Sequence, residues 1–324
     1  MLKLFVCFLL LIPGMAWAAI DFARNDAAPG NMRFTWIHGS LSAKANTDPR
    51  IQVHQYNQHT FILRQNPAVH WEAPFMYLLM GNSKAVLLDA GATAEAEYFP
   101  LRDVVDSTLQ RWEQVHGQSL ELMILPLGAD ASQTAALAQF EGRPKTTIVA
   151  PHSAARLDLF QSESLDGAVI DLGGRVLSVI GTPGLDAEAI SLYDPWNDML
   201  FTGNAFYPGR LVIRDFPAYV ASVKKLVDVA RSEPVAWLAG GRIEMTNRAG
   251  MDYILRSNYR PNERVLQLDP SALGDAYNLL RLINGQTDIR IHSDFILMHG
   301  VGRGARDYGW PVYIPEQFQS TNTR

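Results

Sequence analysis

Short apolar runs recur along the middle of the chain, separated by turn residues. Thr60 to Arg64 (TFILR), Phe75 to Leu79 (FMYLL) and Ala85 to Asp89 (AVLLD) read as strands, bounded by Gly81-Asn82 and Gly91. Leu101 to His116 carries Val104, Val105, Leu109 and Trp112 on roughly one face, which predicts a helix. Leu122 to Leu125 and Thr146 to Ala150 read as buried strands, Ser132 to Phe140 and Ser153 to Phe160 as helices. The second half repeats this mode. Arg175 to Ile180, Ala189 to Tyr193, Met199 to Phe201 and Val235 to Leu238 are strand-like, and Tyr219 to Ser232 is helical. Two β-rich halves, each with helices, predict a layered α/β arrangement: two sheets face to face with helices outside. Beyond about residue 262 a helix is expected over Ser271 to Asn284, followed by an irregular, aromatic-rich end from Tyr308 to Phe318.

The N-terminal pattern differs. Lys3 precedes an apolar run from Leu4 to Pro13, and Ala16-Trp17-Ala18 is a small-x-small site. This reads as a secretory signal peptide cut after Ala18, and the expected location is periplasmic or secreted. The run is short for a membrane span, so no stable span is expected after cleavage. Residues 19–48 read as a polar lead-in, 49–268 as the main domain and 269–324 as an extension packing on it. Cys7 is the single cysteine and would leave with the signal, which removes disulfides and thiolate metal ligands from consideration. A net charge of -5 gives no electrostatic footprint for nucleic acid.

Several landmarks stand in a telling order. Ala85 to Gly91 (AVLLDAG) resembles the strand-ending LIDTG of the metallo-β-lactamase superfamily, and Leu122 to Leu125 resembles the strand before its metal loop. Gly181-Thr182-Pro183-Gly184 is similar to its TPGH turn. Ile190 to Asp194 with Leu200 to Asn204 (LFTGN) resembles its LFTGD segment, and Gly240 to Met245 (GGRIEM) its last histidine motif. Tyr259 to Glu263 fits a secreted-type branch. The resemblance covers roughly residues 58–268 and implies an αββα sandwich with its site at one edge of the two sheets.

In that family, imidazole and carboxylate ligands hold zinc, which acidifies a bound water. The resemblance places Gly128, Asp130, Ser132 and Gln133 at the H-x-H-x-D-H positions, Leu185 at the TPGH histidine, Asn204 at the bridging aspartate and Arg242 at the last histidine. All seven depart from the pattern. No histidine lies between His116 and His152, or between His152 and His292, so no shift of register restores the motif. Zinc is therefore not expected, nor any other cofactor.

Loss of a dication leaves a charge question. Asp130 and Arg242 are expected to pair across the former site, with Asp89 as a second partner; the alternative is an Arg242 that points to solvent. Asp89, Asp186 and Trp71 are candidate pocket residues. His54, His59 and His70 cluster in sequence near Glu72, but surface or loop roles suit their spacing better than a metal site. Ser132 as a nucleophile would need a base that no neighbouring histidine supplies. No catalytic residue emerges. The expected function is a non-catalytic protein that binds a small molecule or a protein partner, of unknown identity and oligomeric state. The alternative is a hydrolase of this superfamily acting by altered chemistry, with Asp130 or Asp186 as base.

Overall fold

The structure, a computed structural model, describes residues 19–23 and 27–305. The signal-peptide segment and the aromatic end with Trp310, Tyr313 and Phe318 lie outside the described residues.

The first sheet has six strands in sequence order: β1 (Ile51–Asn57), β2 (Thr60–Gln65), β3 (Phe75–Met80), β4 (Lys84–Leu88), β5 (Glu121–Leu125) and β6 (Thr146–Ile148). The first four are antiparallel; β4, β5 and β6 run parallel. After β7 (Val169–Asp171), β8 (Val176–Gly181), β9 (Ile190–Asp194) and β10 (Met199–Gly203), strand β11 (Arg210–Ile213) leaves for a separate sheet. With β12 (Trp237–Gly240) and β13 (Gln267–Leu268) the second sheet is complete, in the order β13-β12-β10-β9-β8-β7.

Alternation along the strands builds the layers. In β3, Phe75, Tyr77 and Leu79 join a core shared with Leu177, Val179, Leu192 and Phe201 of the second sheet. Met76, Leu78 and Met80 point the other way, against Leu101, Val105, Leu109 and Trp112 of helix α1 (Leu101–His116). Both faces of β3 are thus buried, which explains its unbroken apolar run. α1 ends where Gly117 adopts φ 64° and donates its N–H to the Glu113 carbonyl, a left-handed stop suited to glycine.

Two short helices follow, α2 (Ala131–Thr134) and α3 (Ser153–Phe160). On the outer face of the second sheet, α4 (Phe216–Ser232) presents Tyr219, Val223, Leu226 and Val227 to Ile180, Tyr193, Leu200 and Leu238. Helix α5 (Ser271–Ile283) joins the same cluster through Leu273, Ala276 and Leu280. The expected αββα sandwich is therefore present: helix, sheet, sheet, helix.

Two differences from the sequence pattern have physical causes. The helix expected over Ser132 to Phe140 breaks after Thr134 into a 3-10 turn at Leu137–Phe140. The Ala136 N–H donates to Ala90 at 3.1 Å, and that of Ala135 divides between Gly91 and Ala131, so the loop after β4 competes for the helical bonds. Beyond α5, β14 (Asp288–Ile291) and β15 (Ile296–His299) form a hairpin; β15 pairs parallel with β11. Among the described residues no helix is long and apolar enough to cross a membrane.

Candidate functional site

β4 and β5 run parallel, as do β10 and β12, and the chain segments that follow all four strands meet at one edge of the sandwich. The two sheets are joined there by the Phe75 N–H, which donates to Gly241 at 2.8 Å, and by the Tyr77 hydroxyl, which donates to Gly240 at 2.6 Å. A cleft of about 340 Å³ opens at this edge, lined by Asp130, Leu185, Asp186, Asn204, Tyr207 and Arg242 together with Arg210, Val212, Arg214 and Arg303.

Asp89 ends β4 in the left-handed region, φ 66°, a conformation Asp tolerates better than most residues. Its carboxylate accepts from the Leu127 N–H at 2.7 Å and from Gln133 Nε2 at 3.1 and 3.2 Å. Burial pushes Asp89 up to about 7 despite those two donors. Gln133, itself buried, accepts from Asn204 Nδ2 at 3.0 Å on its other side. Asn204 in turn accepts from Arg242 Nε at 3.1 Å.

Ser132 is fully buried. Its hydroxyl donates to Asp130 Oδ1 at 2.7 Å and accepts from Arg242 Nη2 at 2.8 Å and Asn204 Nδ2 at 3.2 Å. Both lone pairs accept hydrogen bonds and the oxygen is buried, so this hydroxyl is not an available nucleophile.

Arg242 does not point to solvent, and Asp130 is the more distant of two carboxylates paired with it. Its Nη1 bonds Glu72, in the turn before β3, while Asp130 Oδ1 lies 3.7 Å from Nη2. Asp89 makes no bond to Arg242; Gln133 and Asn204 stand between them. The guanidinium also lies over the Tyr207 ring, 5.3 Å from its centroid. Burial alone would lower the Arg242 guanidinium; Tyr207, Glu72 and Asp130 outweigh it and hold it above its ordinary value. Burial opposes Asp130 ionisation too, but Arg242 and the bonds from Ser132 keep its carboxyl low.

Sequence order conceals most of what surrounds Arg242. Glu72 bonds Arg303, beyond β15, at 3.4 Å, and Arg303 bonds Glu244. Glu244 accepts from the Arg210 N–H at 2.8 Å, and Arg210 Nε bonds Asp252 at 2.5 Å. Trp71 lines a recess beside the cleft rather than its mouth, with Arg303 over its ring at 5.4 Å. Asp186 lines the cleft, and both its oxygens are used to fasten loops, accepting from Ala129 N at 2.6 Å and Glu188 N at 2.9 Å.

Gly128 is tight: a Cβ there would meet Gln133 Oε1 at 2.5 Å and Asp186 Oδ2 at 2.7 Å. Of the seven expected positions, Gly128, Ser132 and Gln133 thus form the floor, while Asp130, Leu185, Asn204 and Arg242 line the cleft. The donor set offers one carboxylate, two amides, a hydroxyl and a guanidinium. That does not fit a zinc pair, which needs imidazole or several carboxylates and repels a buried cation. Among the described residues no three His, Cys, Asp or Glu side chains converge as a metal-binding group.

The remaining histidines have local partners. His54 Nε2 bonds the Asn31 carbonyl at 2.5 Å and its ring stacks on Phe34. His59 Nδ1 accepts from Trp112 Nε1 at 3.1 Å, and burial, His116 and Arg175 lower it to about 4. His152 caps α3, accepting from Ala155 N at 3.4 Å. His292 stacks on Phe295, and His299 packs against Phe216.

No family model matches the sequence. Among curated proteins, the acyl-coenzyme A thioesterase MBLAC2 of Gallus gallus is 31% identical over 98 residues, which is 29% of this chain and 35% of that protein. The chain therefore matches about a third of that relative's length. The structural neighbours are metallo-β-lactamase-fold proteins. One is a metallo-β-lactamase from Pontibacter korlensis (14% identity, 71% of this chain and 99% of that one, TM-score 0.48). A second is that of Erythrobacter litoralis (13% identity, 73% and 99%, TM-score 0.47).

Proposed function

We propose that this chain is a secreted or periplasmic metallo-β-lactamase-like protein without a zinc centre, which binds a ligand or partner at its cleft rather than catalysing hydrolysis. The observation that carries this reading is the buried Arg242 guanidinium. It stands where the resemblance puts the last zinc histidine and is held by Glu72, Ser132 and Asn204. A fixed cation at that point disfavours a dication beside it.

The candidates for altered chemistry are poorly suited. A base is effective when its pKa lies near the working pH, and Asp130 is held low by Arg242 and Ser132. Asp186 is committed to two backbone N–H groups. The core is the apolar interface between the sheets, which supports a fold that does not depend on a metal.

The test is metal analysis of the purified full chain after dialysis against a weak chelator, with assays on lactam, ester and acyl-coenzyme A thioester substrates. The thioester is included because of the curated relative's name. Zinc well below one per chain and no turnover above background are expected. Stoichiometric zinc together with hydrolysis of any of the three would sink the reading.

A further inference from the structure

The arginines of the cleft are not all used up by their neighbours. Arg242 is almost fully buried and lines the cleft; among the described residues its Nη1 and Nη2 each make one hydrogen bond, with Asp130 3.7 Å from Nη2, so each nitrogen keeps a second N–H. Arg303 Nε is buried with no hydrogen-bond partner among the described residues, although both its Nη atoms are bonded. Arg214 lines the same cleft, exposed, with no side-chain ion pair or hydrogen bond among the described residues. Buried donors left unfilled are costly, and a guanidinium fork is matched in shape by a carboxylate.

Three further features narrow the ligand. Leu185 and Val212, both half-buried, add apolar wall to the cleft. The volume of about 340 Å³ suits a small molecule. Asp130 and Asp186 line the same space, so a dianion such as phosphate would meet like charge where a single negative charge is tolerated.

We infer that this cleft binds a small monocarboxylate with an apolar body, its carboxylate received by Arg242, Arg303 and Arg214. The inference names the ligand class for the non-catalytic site proposed above and rests on that reading.

The experiment titrates the full chain with benzoate and hexanoate, with the matching amides benzamide and hexanamide, and with inorganic phosphate. Calorimetry and thermal unfolding are the readouts. Both carboxylates are expected to bind one per chain and raise the unfolding midpoint, with the amides at least about tenfold weaker. Arg214→Gln and Arg303→Gln, each compared with its own unliganded midpoint, are expected to weaken carboxylate binding by about tenfold. Arg214 is exposed, so that variant reports even where a buried substitution fails to fold. Equal binding of amides, preference for phosphate, absence of carboxylate binding, or indifference to both substitutions would each overturn the inference. The zinc and turnover measurements are separate readouts. A chain that holds zinc and hydrolyses substrate while binding benzoate loses the non-catalytic reading and keeps the carboxylate site. One without zinc or turnover that ignores carboxylates does the reverse.

Discussion

Arg242 is the residue on which the cleft turns, and its energetics follow from what is buried with it. A guanidinium of this kind is stabilising only while its partners are present. Removing it strips the largely buried Glu72 of its nearer cation and leaves only Arg303, at 3.4 Å. Arg242→Gln is expected to cost about 3–5 kcal/mol in urea unfolding. Glu72→Gln alone should also be strongly destabilising, yet the double variant should cost clearly less than the two singles summed, because neither charge is then stranded. Additive costs would mean that the pair is not coupled. The sequence made Arg242 visible, since it interrupts a motif whose order is otherwise kept. Glu72 was not visible as its partner. It is 170 residues away and sits among histidines that drew attention to a different chemistry. Asp130, which the motif places beside it, does pair with it, but at 3.7 Å, because the same Oδ1 caps α2 by accepting from the Ser132 N–H at 2.9 Å.

At the scale of elements, legibility followed length and burial. α1 and α3 are legible to the residue, and the longer strands of the inter-sheet core to within a residue or two, because long amphipathic faces and buried apolar runs are strong signals; β7, of three residues, gives no such signal although Ile170 joins that core. β1 was missed because its alternation is written in Gln, His and Tyr. β11, β14 and β15 were missed because strands of four residues carry too little pattern, and β15 is paired to β11 across more than 80 residues of sequence. Their sheet matters to the cleft, since Arg210 and Val212 lie on β11 and Arg303 follows β15. The start of α4 shows the same limit in reverse. The apolar face suggested Tyr219, but the helix begins at Phe216, where Asp215 caps the Ala218 N–H at 3.0 Å and Pro217 supplies a suitable φ. Asp215→Ala is expected to cost about 1 kcal/mol in equilibrium unfolding, while Asp215→Asn retains most of the stability. Equal loss in both would show that the cap contributes through something other than its side-chain acceptor.

For the molecule as a whole, two buried groups on separate elements give opposite pH dependence. Asp89, raised to about 7, keeps a proton in the folded state that the unfolded chain gives up near its ordinary value of 3.8. Its contribution to stability therefore falls as pH rises across that interval. His59, lowered to about 4, stays neutral where the unfolded chain takes up a proton below 6.5. Its contribution rises with pH across nearly the same interval. The two slopes oppose each other between about pH 4 and 6.5, and His70, His116 and His292, also lowered by burial, add to the rising side. Asp89→Asn should remove the falling contribution, so that stability climbs more steeply with pH than in wild type in that window, by up to about 1.4 kcal/mol per pH unit. Urea midpoints measured across the window decide it; a variant with the same slope as wild type would show that Asp89 ionises in the fold as it does unfolded.

The contact at Gly128 ties the floor of the cleft into one unit. Gln133 and Asp186 already stand where any side chain at that position would begin. Gln133 is bonded to Asp89 and Asn204, and Asn204 to Arg242. A side chain added at position 128 therefore displaces Gln133 and loosens bonds that reach as far as Arg242. The floor answers a change at one end as a block, not residue by residue.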